Sequence, residues 1–179
     1  MKKLISTMAA TALIATSSFA FDPAKDLDLS KVYVGAGLAM ETITDFDAGF
    51  ALVLNAGLPV KETGNNVIGA EVELTQTLSA AERTITTTAS MEASLTTMAI
   101  YSTYTYNVNK SLFAKVRAGF LYESITMELG SLSSDDSQSG VAFGLHTGYN
   151  INETMGVYLG YDFIEADVQH ITLGMNYHF

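Results

Sequence analysis

The sequence contains no cysteine, and its 179 residues hold nine lysines and arginines against 19 aspartates and glutamates. Without thiols, disulfides and thiolate metal sites are excluded, and so is an N-terminus lipid-modified at cysteine. A formal net charge of −10 disfavours nucleic acid as a partner, because binding to a duplex requires a basic face that displaces counterions. Nearly half of the residues are apolar, so the chain is not disordered.

The sequence also lacks a long apolar run after its first twenty residues, because charged or polar residues recur throughout. In a bilayer all backbone polar groups must be satisfied internally, so a chain without spanning helices enters only as a closed β-sheet. At the N-terminus, Lys2 and Lys3 precede a short apolar stretch centred on residues 8–14, and a small-x-small sequence follows at 18–20. This pattern predicts a cleaved secretory signal peptide over residues 1–20 and one domain over residues 21–179.

Apolar and polar side chains alternate strictly over the last ten residues, 170–179. Such alternation puts one apolar face on a β-strand. Similar stretches recur upstream, most of them near the 9 to 11 residues that a tilted spanning strand requires. The predicted strands cover residues 32–41, 50–58, 68–77, 93–106, 114–123, 141–150, 157–163 and 170–179. We therefore predict an all-β fold, an eight-stranded antiparallel up-and-down transmembrane β-barrel with its apolar side chains toward lipid.

The fourth predicted strand has an ambiguous register. Met98, Ile100, Tyr104 and Tyr106 are predicted to face outward, whereas Tyr101 favours the opposite assignment. A slip of one residue would exchange the two faces of this strand.

The predicted connections alternate in length, as in an outer-membrane barrel. Short connections at residues 61–65, 107–110 and 151–154 are expected in the periplasm, together with both termini. Longer or acidic loops are predicted at residues 42–47, 79–90, 124–139 and 164–169 on the outer side. An inner aromatic girdle would contain Tyr106, Tyr149, Tyr177 and Phe179, and an outer one Tyr122, Tyr161 and Phe163.

Charged side chains on the inward faces are expected to meet across the lumen. An eight-stranded barrel is just wide enough for its inward side chains to fill, and isolated buried ions cost several kcal/mol each. We predict a structural plug of paired charges, with a gate for a narrow pore as the alternative. The members of this predicted network are Glu71, Glu73, Lys115, Arg117, His146 and Asp162.

Four short motifs carry a resemblance to a known family: Tyr33 to Leu38, Lys115 to Gly119, Tyr161 to Phe163, and Leu173 to Phe179. With these, the chain resembles the small eight-stranded outer-membrane proteins, which include outer-membrane protein X, the opacity proteins and the transmembrane domain of outer-membrane protein A. The resemblance implies a charged interior like that of outer-membrane protein A. One departure is expected: the peptidoglycan-binding domain of many outer-membrane protein A relatives does not follow Phe179. It also implies that the outer-membrane assembly machinery recognises a terminal strand comprising Leu173, Met175, Tyr177 and Phe179.

Acidic pairs in the predicted outer loops offer hard oxygen ligands for calcium or magnesium that bridges to lipopolysaccharide. The alternative is a solvated loop surface without bound metal. These residues are Asp45, Asp47, Asp135, Asp136, Glu165 and Asp167. The three histidines are not arranged at ligand spacing, so neither a transition-metal site nor a cofactor is expected.

These observations favour a monomeric structural protein of a Gram-negative outer membrane, in contact with lipid and lipopolysaccharide, that supports envelope integrity. Surface adhesion or recognition of an extracellular ligand by the loops is the second hypothesis. A lipid A-modifying enzyme would require an activated serine or histidine near the outer rim, where only His170, with Ser124 and Glu123, comes into question. We therefore predict no enzymatic activity. A lipocalin-like soluble binder would place the apolar face inside the barrel.

Overall fold

A computed structural model describes residues 31–86, 89–130, 132–165 and 168–179. The predicted signal peptide at 1–20 lies outside these residues. They form nine strands: β1 (Tyr33–Ile43), β2 (Gly49–Thr63), β3 (Asn66–Ser79), β4 (Ala81–Thr86), β5 (Ala89–Asn107), β6 (Leu112–Leu129), β7 (Leu132–Asn150), β8 (Met155–Glu165) and β9 (Val168–His178). In this part of the chain, no helix has the length and apolar character needed to span a membrane.

The strands form one closed antiparallel sheet. Strands adjacent in sequence pair with each other except β3 and β4, β9 returns to pair with β1, and β3 pairs with β5. Strand β4 follows β3 after a one-residue break at Ala80 and pairs with the outer part of β5, so the nine segments make eight wall strands. The predicted fold, an eight-stranded up-and-down barrel, is confirmed.

The two faces of the wall differ as the alternation predicts. Outward side chains are large and apolar, and the exposed fraction reaches 75% at Phe120 and 67% at Leu173. Inward side chains include Glu71, Arg117 and Asp162, all of them buried. An apolar outer face around a charged interior suits a wall surrounded by lipid and is the reverse of a lipocalin-like binder.

The ambiguous register on β5 is settled by burial. Met98, Tyr104 and Tyr106 are exposed on the outer face, whereas Tyr101 is buried with 1% of its surface accessible. The predicted assignment is correct, and Tyr101 is an inward aromatic residue on a strand with outward tyrosines.

Two predicted loops are β-hairpins instead. Residues 79–90 contain β4 and the start of β5, with Ala81 opposite Ala93. Residues 124–139 are almost entirely strand, because β6 and β7 remain paired up to Leu129 and Leu132. The sequence predicted the positions of these two long connections and left their conformation open; ladder pairing to a neighbouring strand outweighs the polar composition of a segment such as 132–139.

The opposite end of the barrel has short turns. Residues 64–65 connect β2 to β3, with Gly64 at a φ of 59°. Asn109 and Asn152 accept hydrogen bonds from backbone N–H groups two and three residues ahead, at 2.8–2.9 Å. We call this end the short-turn rim and the opposite end the hairpin rim.

Two apolar residues at the short-turn rim depart from their predicted places. Val32 and Leu58 were expected on the exposed outer face, but both are buried. They belong to one small apolar cluster, against which Phe179 packs. Contacts between neighbouring chain segments at the rim therefore cover side chains that simple alternation would leave exposed.

Candidate functional site

The most elaborate polar site lies in the lumen, toward the short-turn rim. Each of its charged residues occupies an inward position on a wall strand, because alternate side chains of a strand point to the same face. Glu71 and Glu73 are on β3, Lys115 and Arg117 on β6, His146 on β7 and Asp162 on β8. We call these six residues the charged layer. All six are buried, and the side chains predicted to form a network are in direct contact.

Arg117 is the centre of the charged layer. Its Nη1 donates to Glu71 Oε1 at 2.7 Å and to Glu73 Oε2 at 2.6 Å. Its Nη2 donates to Glu73 Oε1 at 2.9 Å, and its Nε donates to Asp162 Oδ1 at 2.8 Å. The planar guanidinium, with five N–H donors in a fixed fork, matches this set of three carboxylates. One side chain thus ties β6 across the lumen to β3 and β8.

Lys115 and Tyr33 complete the coordination of Glu71. Lys115 Nζ donates to Glu71 Oε2 at 2.7 Å, and the Tyr33 hydroxyl donates to the same oxygen at 2.5 Å. The ammonium also lies 5.5 Å from the centre of the Tyr33 ring. Glu71 therefore accepts bonds from two cations and a phenol, which compensates the loss of water around a fully buried carboxylate.

The other side of the layer joins Asp162 to His146. His146 Nε2 lies 3.0 Å from both carboxylate oxygens of Asp162. The His146 ring stacks on Tyr158 with centroids 5.3 Å apart, and the Arg117 guanidinium carbon lies 4.2 Å from the centre of the Tyr101 ring. Aromatic faces thus cover the parts of the layer that have no carboxylate partner.

Small residues on the inward face provide the space for these side chains. A Cβ atom on Gly144 would lie 1.8 Å from Asp162 Oδ1 and 2.8 Å from Arg117 Nε. A Cβ atom on Gly57 would lie 2.4 Å from the Tyr33 hydroxyl oxygen. The inward glycines are therefore part of the charged layer's geometry.

Above the charged layer, toward the hairpin rim, the lumen contains a cluster of apolar side chains together with buried polar residues such as Glu41, Glu123 and His170. We call the buried members of this cluster the apolar layer: Leu95, Ala99, Tyr101, Leu121, Ala142, Ile164 and Val168. A buried polar pair also lies in this half, because His170 Nε2 is 3.3 Å from Glu41 Oε2. The Thr77 hydroxyl donates to Glu41 Oε1 at 3.1 Å. His170, considered above as part of a lipid-modifying centre with Ser124 and Glu123, is thus a buried lumen residue bonded to Glu41.

The described acidic residues predicted as ion ligands are exposed, and three of them have separate protein partners. Asp135 accepts a hydrogen bond from Thr126 at 2.8 Å, and Asp45 lies 3.9 Å from Arg83. Asp47 is exposed, and Asp136 accepts a bond from the backbone N–H of Ser137. Asp167 and the side chain of Glu165 lie outside the described residues. Within the described ranges, no three histidine, aspartate or glutamate side chains are grouped to hold a metal ion.

The terminal strand β9 closes the wall between β1 and β8. Leu173, Met175 and Tyr177 are exposed on its outer face, and Phe179 lies edge-on to Tyr177 with centroids 5.2 Å apart. Tyr106 and Tyr149 are likewise exposed on this half of the barrel, as the predicted inner girdle requires.

Sequence reasoning missed the roles of Tyr33, Tyr101 and Tyr158, and it did not pair Glu41 with His170. All of these residues have inward positions, so parity alone selects them as lumen residues. What the sequence does not give is the depth of each residue, that is, its position along the barrel axis. Glu41 and His170 are 129 positions apart in the chain and come together only because β9 pairs with β1.

Comparisons with known proteins agree with this geometry. The sequence model of the family described as outer membrane protein beta-barrel domain matches residues 7–179. A comparison with curated protein sequences found no match.

Several solved structures are similar to the barrel. The attachment invasion locus protein Ail of Yersinia pestis superposes with a TM-score of 0.58 at 11% identity, covering 83% of this chain and 98% of Ail. Neisserial surface protein A gives 0.58 at 16% identity, with coverage of 83% and 97%. The N-terminal barrel of Pseudomonas aeruginosa OprF gives 0.53 at 14% identity, with 82% and 97%. At these identities the likeness concerns the fold. By its family match and its closed eight-stranded wall, the chain belongs to the outer-membrane β-barrel domain family of Gram-negative bacteria.

Proposed function

We propose that the protein is a structural, non-conducting outer-membrane barrel that supports envelope integrity and presents two β-hairpins to the cell exterior. The observation that carries this proposal is the filled lumen, with Arg117 bonded to three carboxylates in one half and the apolar layer in the other. Buried charges paired in this way resist separation, since removing one partner leaves an uncompensated ion. A filled barrel with an apolar outer face suits a scaffold held in lipid.

The proposed orientation places the short-turn rim and both termini in the periplasm. Short periplasmic turns and longer extracellular segments are general in outer-membrane barrels. The two long hairpins, β4–β5 and β6–β7, both rise from the opposite rim. Outer-membrane lipid and lipopolysaccharide would then surround the wall of a monomer, and the assembly machinery would recognise the outward side chains of β9.

Planar-bilayer recording tests the filled lumen. The purified barrel is expected to give no single-channel steps, whereas a general porin inserted under the same conditions gives steps and serves as the control. Reproducible steps from the wild-type barrel, lost in an Arg117→Met variant whose insertion has been verified, would contradict a static plug and favour a gated pore.

Envelope integrity is tested in the source bacterium. Deletion of the gene should increase the uptake of a dye that the intact outer membrane excludes. A hairpin-trimmed variant, in which Asn-Gly replaces residues 126–135, should restore exclusion as well as the wild type does. The replacement keeps Ile125 opposite Asp136 and uses a two-residue turn that suits an antiparallel hairpin. Unchanged uptake in the deletion strain would argue against the structural role.

Recognition of an external surface is the second candidate, and the β6–β7 hairpin is the observation that favours it. This hairpin carries exposed side chains of Glu128, Asp135 and Asp136 on a rigid scaffold. One solved structure of Ail contains the heparin analogue sucrose octasulfate. The acidic hairpin of this chain suits a basic surface better than such a polyanion, because like charges repel.

Attachment measurements separate the two candidates. Cells producing the trimmed variant should lose attachment to a basic surface if the hairpin is an adhesin, while dye exclusion stays normal. If the variant is present at the cell surface and attachment equals that of the wild type, the hairpin is not an adhesin and the scaffold role is the remaining candidate. Catalysis is not part of the proposal, because His170 is bonded to Glu41 inside the lumen.

A further inference from the structure

Where the two hairpins rise beyond the wall, the two faces of the sheet exchange their character. Residues opposite each other in adjacent strands share a face, and alternate residues of one strand do so too. Glu92 lies opposite Glu128, so the face that continues the lipid-facing surface becomes polar. Ala93 lies opposite Met127, so the face that continues the lumen becomes apolar. Since charged side chains on the lipid face are unfavourable, this part of the sheet stands clear of the bilayer.

The apolar side of this extension is an open surface, which we call the apolar hairpin face. It consists of Met91, Ala93, Ile125, Met127, Leu129 and Leu132. Ile125 packs against the apolar layer, so the face continues that layer out of the lumen. The exposed fractions of Met127 and Leu132 are 41% and 71%. Contiguous exposed apolar side chains of this kind mark a surface that a partner covers.

The opposite side of the rim ends at a lower level. Ile164, near the end of β8, and Val168, at the start of β9, are members of the apolar layer. Strands β5 and β6 extend beyond that layer, to Ala89 and Leu129. The apolar hairpin face is therefore open toward the barrel axis and accessible from the hairpin rim.

The surroundings of this face are acidic. Residues 118–179 contain no lysine or arginine, and among the described residues at the hairpin rim Arg83 is the single basic side chain, 3.9 Å from Asp45. Asp136 lies on the apolar hairpin face itself, opposite Ile125. The exposed acidic residues at this rim are Asp45, Asp47, Glu82, Glu92, Glu128, Asp135 and Asp136. Two copies of such a surface repel each other, whereas a cationic partner is attracted.

The width of the face suits one α-helix. Adjacent strands lie about 4.8 Å apart, so the three strands β5 to β7 give a face about 10 Å wide, close to the diameter of a helix. Methionine side chains adapt their shape to a bound apolar surface.

From these observations we propose that the apolar hairpin face binds a cationic amphipathic helix. The apolar stripe of the helix lies on Met91, Met127 and Leu129, and its lysines or arginines face Asp136 and the neighbouring carboxylates. The proposal gives the recognition candidate a class of partner, and it rests on the outward orientation of the hairpin rim proposed above.

The test uses the mature barrel in phosphatidylcholine nanodiscs, with its methionine methyl groups labelled for NMR. The probe is a designed peptide of leucine and lysine, about 14 residues or 21 Å long as a helix, with its leucines along one side. The methyl signals of Met91 and Met127 should shift saturably. Those of Met98 and Met175, which are exposed on the lipid-facing surface, should not. Empty nanodiscs measure the peptide that lipid alone binds.

Two control peptides separate the charge of the partner from its apolar stripe. A peptide with glutamate in place of every lysine should not bind, because the rim is acidic. A peptide with the same residues in an order that gives no apolar stripe should bind at least about tenfold more weakly, because less apolar surface is buried.

A matched pair of variants on β6 tests the face. Met127→Gln removes an apolar contact and should weaken binding at least about fivefold, with the Met91 signal as the reporter. Thr126→Gln places the same side chain on the opposite face and should leave binding unchanged. Asp136→Asn should weaken binding about twofold to fivefold and reduce its dependence on salt. Migration of unheated and boiled samples on a gel verifies that each barrel is folded.

A single thiol separates the helix site from the orientation on which it rests. The chain has no cysteine, so Ser134→Cys, opposite Met127, gives one site for a membrane-impermeant maleimide on intact cells. Labelling on cells without peptide binding in nanodiscs overturns the helix site and leaves the orientation intact. Binding without labelling supports the site and contradicts the orientation. The proposal is also overturned by equal shifts at Met98, by equally tight binding of the glutamate peptide, or by equal losses in Met127→Gln and Thr126→Gln.

Discussion

The two halves of the lumen are both filled by side chains, but the side chains are of different kinds. Toward the short-turn rim, the charged layer fills the space with polar and charged side chains that are joined in one network of hydrogen bonds. Toward the hairpin rim, Leu95, Leu121, Ile164 and Val168 pack together as in the core of a soluble protein, with the polar residues Glu41, Glu123 and His170 buried in the same half. Both halves are buried, so the difference lies in what happens when one member is removed.

The comparison shows why the two halves should tolerate change differently. A charge in the first half depends on specific partners, because its desolvation is offset only by well-placed opposite charges. An apolar residue in the second half depends on volume, so a substitution of similar size is well tolerated. We therefore expect loss of a cation to have the largest effect and volume-conserving changes in the apolar layer to have small ones.

Arg117→Met should be the most destabilising single change. It retains most of the side-chain volume but leaves Glu71, Glu73 and Asp162 without the guanidinium that contacts all three. Breaking a buried ion pair in this way costs about 3–5 kcal/mol in the free energy of unfolding. Urea unfolding in micelles, followed by far-ultraviolet circular dichroism because the chain has no tryptophan, measures the loss.

A double variant is the matched control for this prediction. Glu73 forms its ion pairs with Arg117, whereas Glu71 also has Lys115. Adding Glu73→Gln to Arg117→Met removes one stranded charge and should recover part of the lost stability. A double variant that is less stable than Arg117→Met would mean that the pairing of charges does not dominate this half.

Leu95→Ala tests the apolar half. Leu95 is fully buried in the apolar layer, and its truncation creates a cavity that costs about 3 kcal/mol. Leu95→Met, which nearly conserves volume, should cost less than about 1.5 kcal/mol. Equal losses from the two substitutions would show that shape, and not volume, controls this layer.

Much of the wall is predictable from the sequence, because lipid on one side and a crowded lumen on the other impose a period of two on every strand. The parity of Glu71, Lys115 and Asp162 places them inside without further information. The hairpin extensions were not predictable in the same way, since residues 132–139 are held in a strand by pairing with β6 and have no apolar face of their own.

The contacts within the lumen are also only partly predictable. That opposite charges must pair follows from the cost of burying ions, but which aromatic ring joins them depends on the relative depth of distant strands. Tyr33 bonds to Glu71 across 38 residues and Asn55 to Tyr158 across 103. The position of each residue along the barrel axis depends on how far neighbouring strands are shifted relative to one another around the closed sheet. The sequence of a single strand does not contain that shift.

Thr77→Val tests a polar contact that lies within the apolar half of the lumen, beside the pair formed by Glu41 and His170. The Thr77 hydroxyl donates to Glu41 and accepts from the backbone N–H of Leu95 at 2.8 Å. Valine has nearly the same shape but leaves that buried N–H without its acceptor, which costs about 2 kcal/mol. Thr77→Ser, which keeps the hydroxyl, should lose less. If both variants unfold at the same urea concentration, the hydroxyl does not stabilise this half.

Thr126→Ala, beyond both lumen halves, should have the smallest effect. Thr126 lies on the exposed part of the β6–β7 hairpin, and its hydroxyl donates to Asp135 Oδ1 at 2.8 Å. Water replaces this partner when the hydroxyl is removed, so the free energy of unfolding should change by less than about 0.5 kcal/mol. Urea unfolding under the conditions used for Arg117→Met gives the direct comparison. A loss as large as that of Leu95→Ala would mean that the hairpin folds as part of the barrel core, and the distinction between a filled lumen and a dispensable exterior would fail.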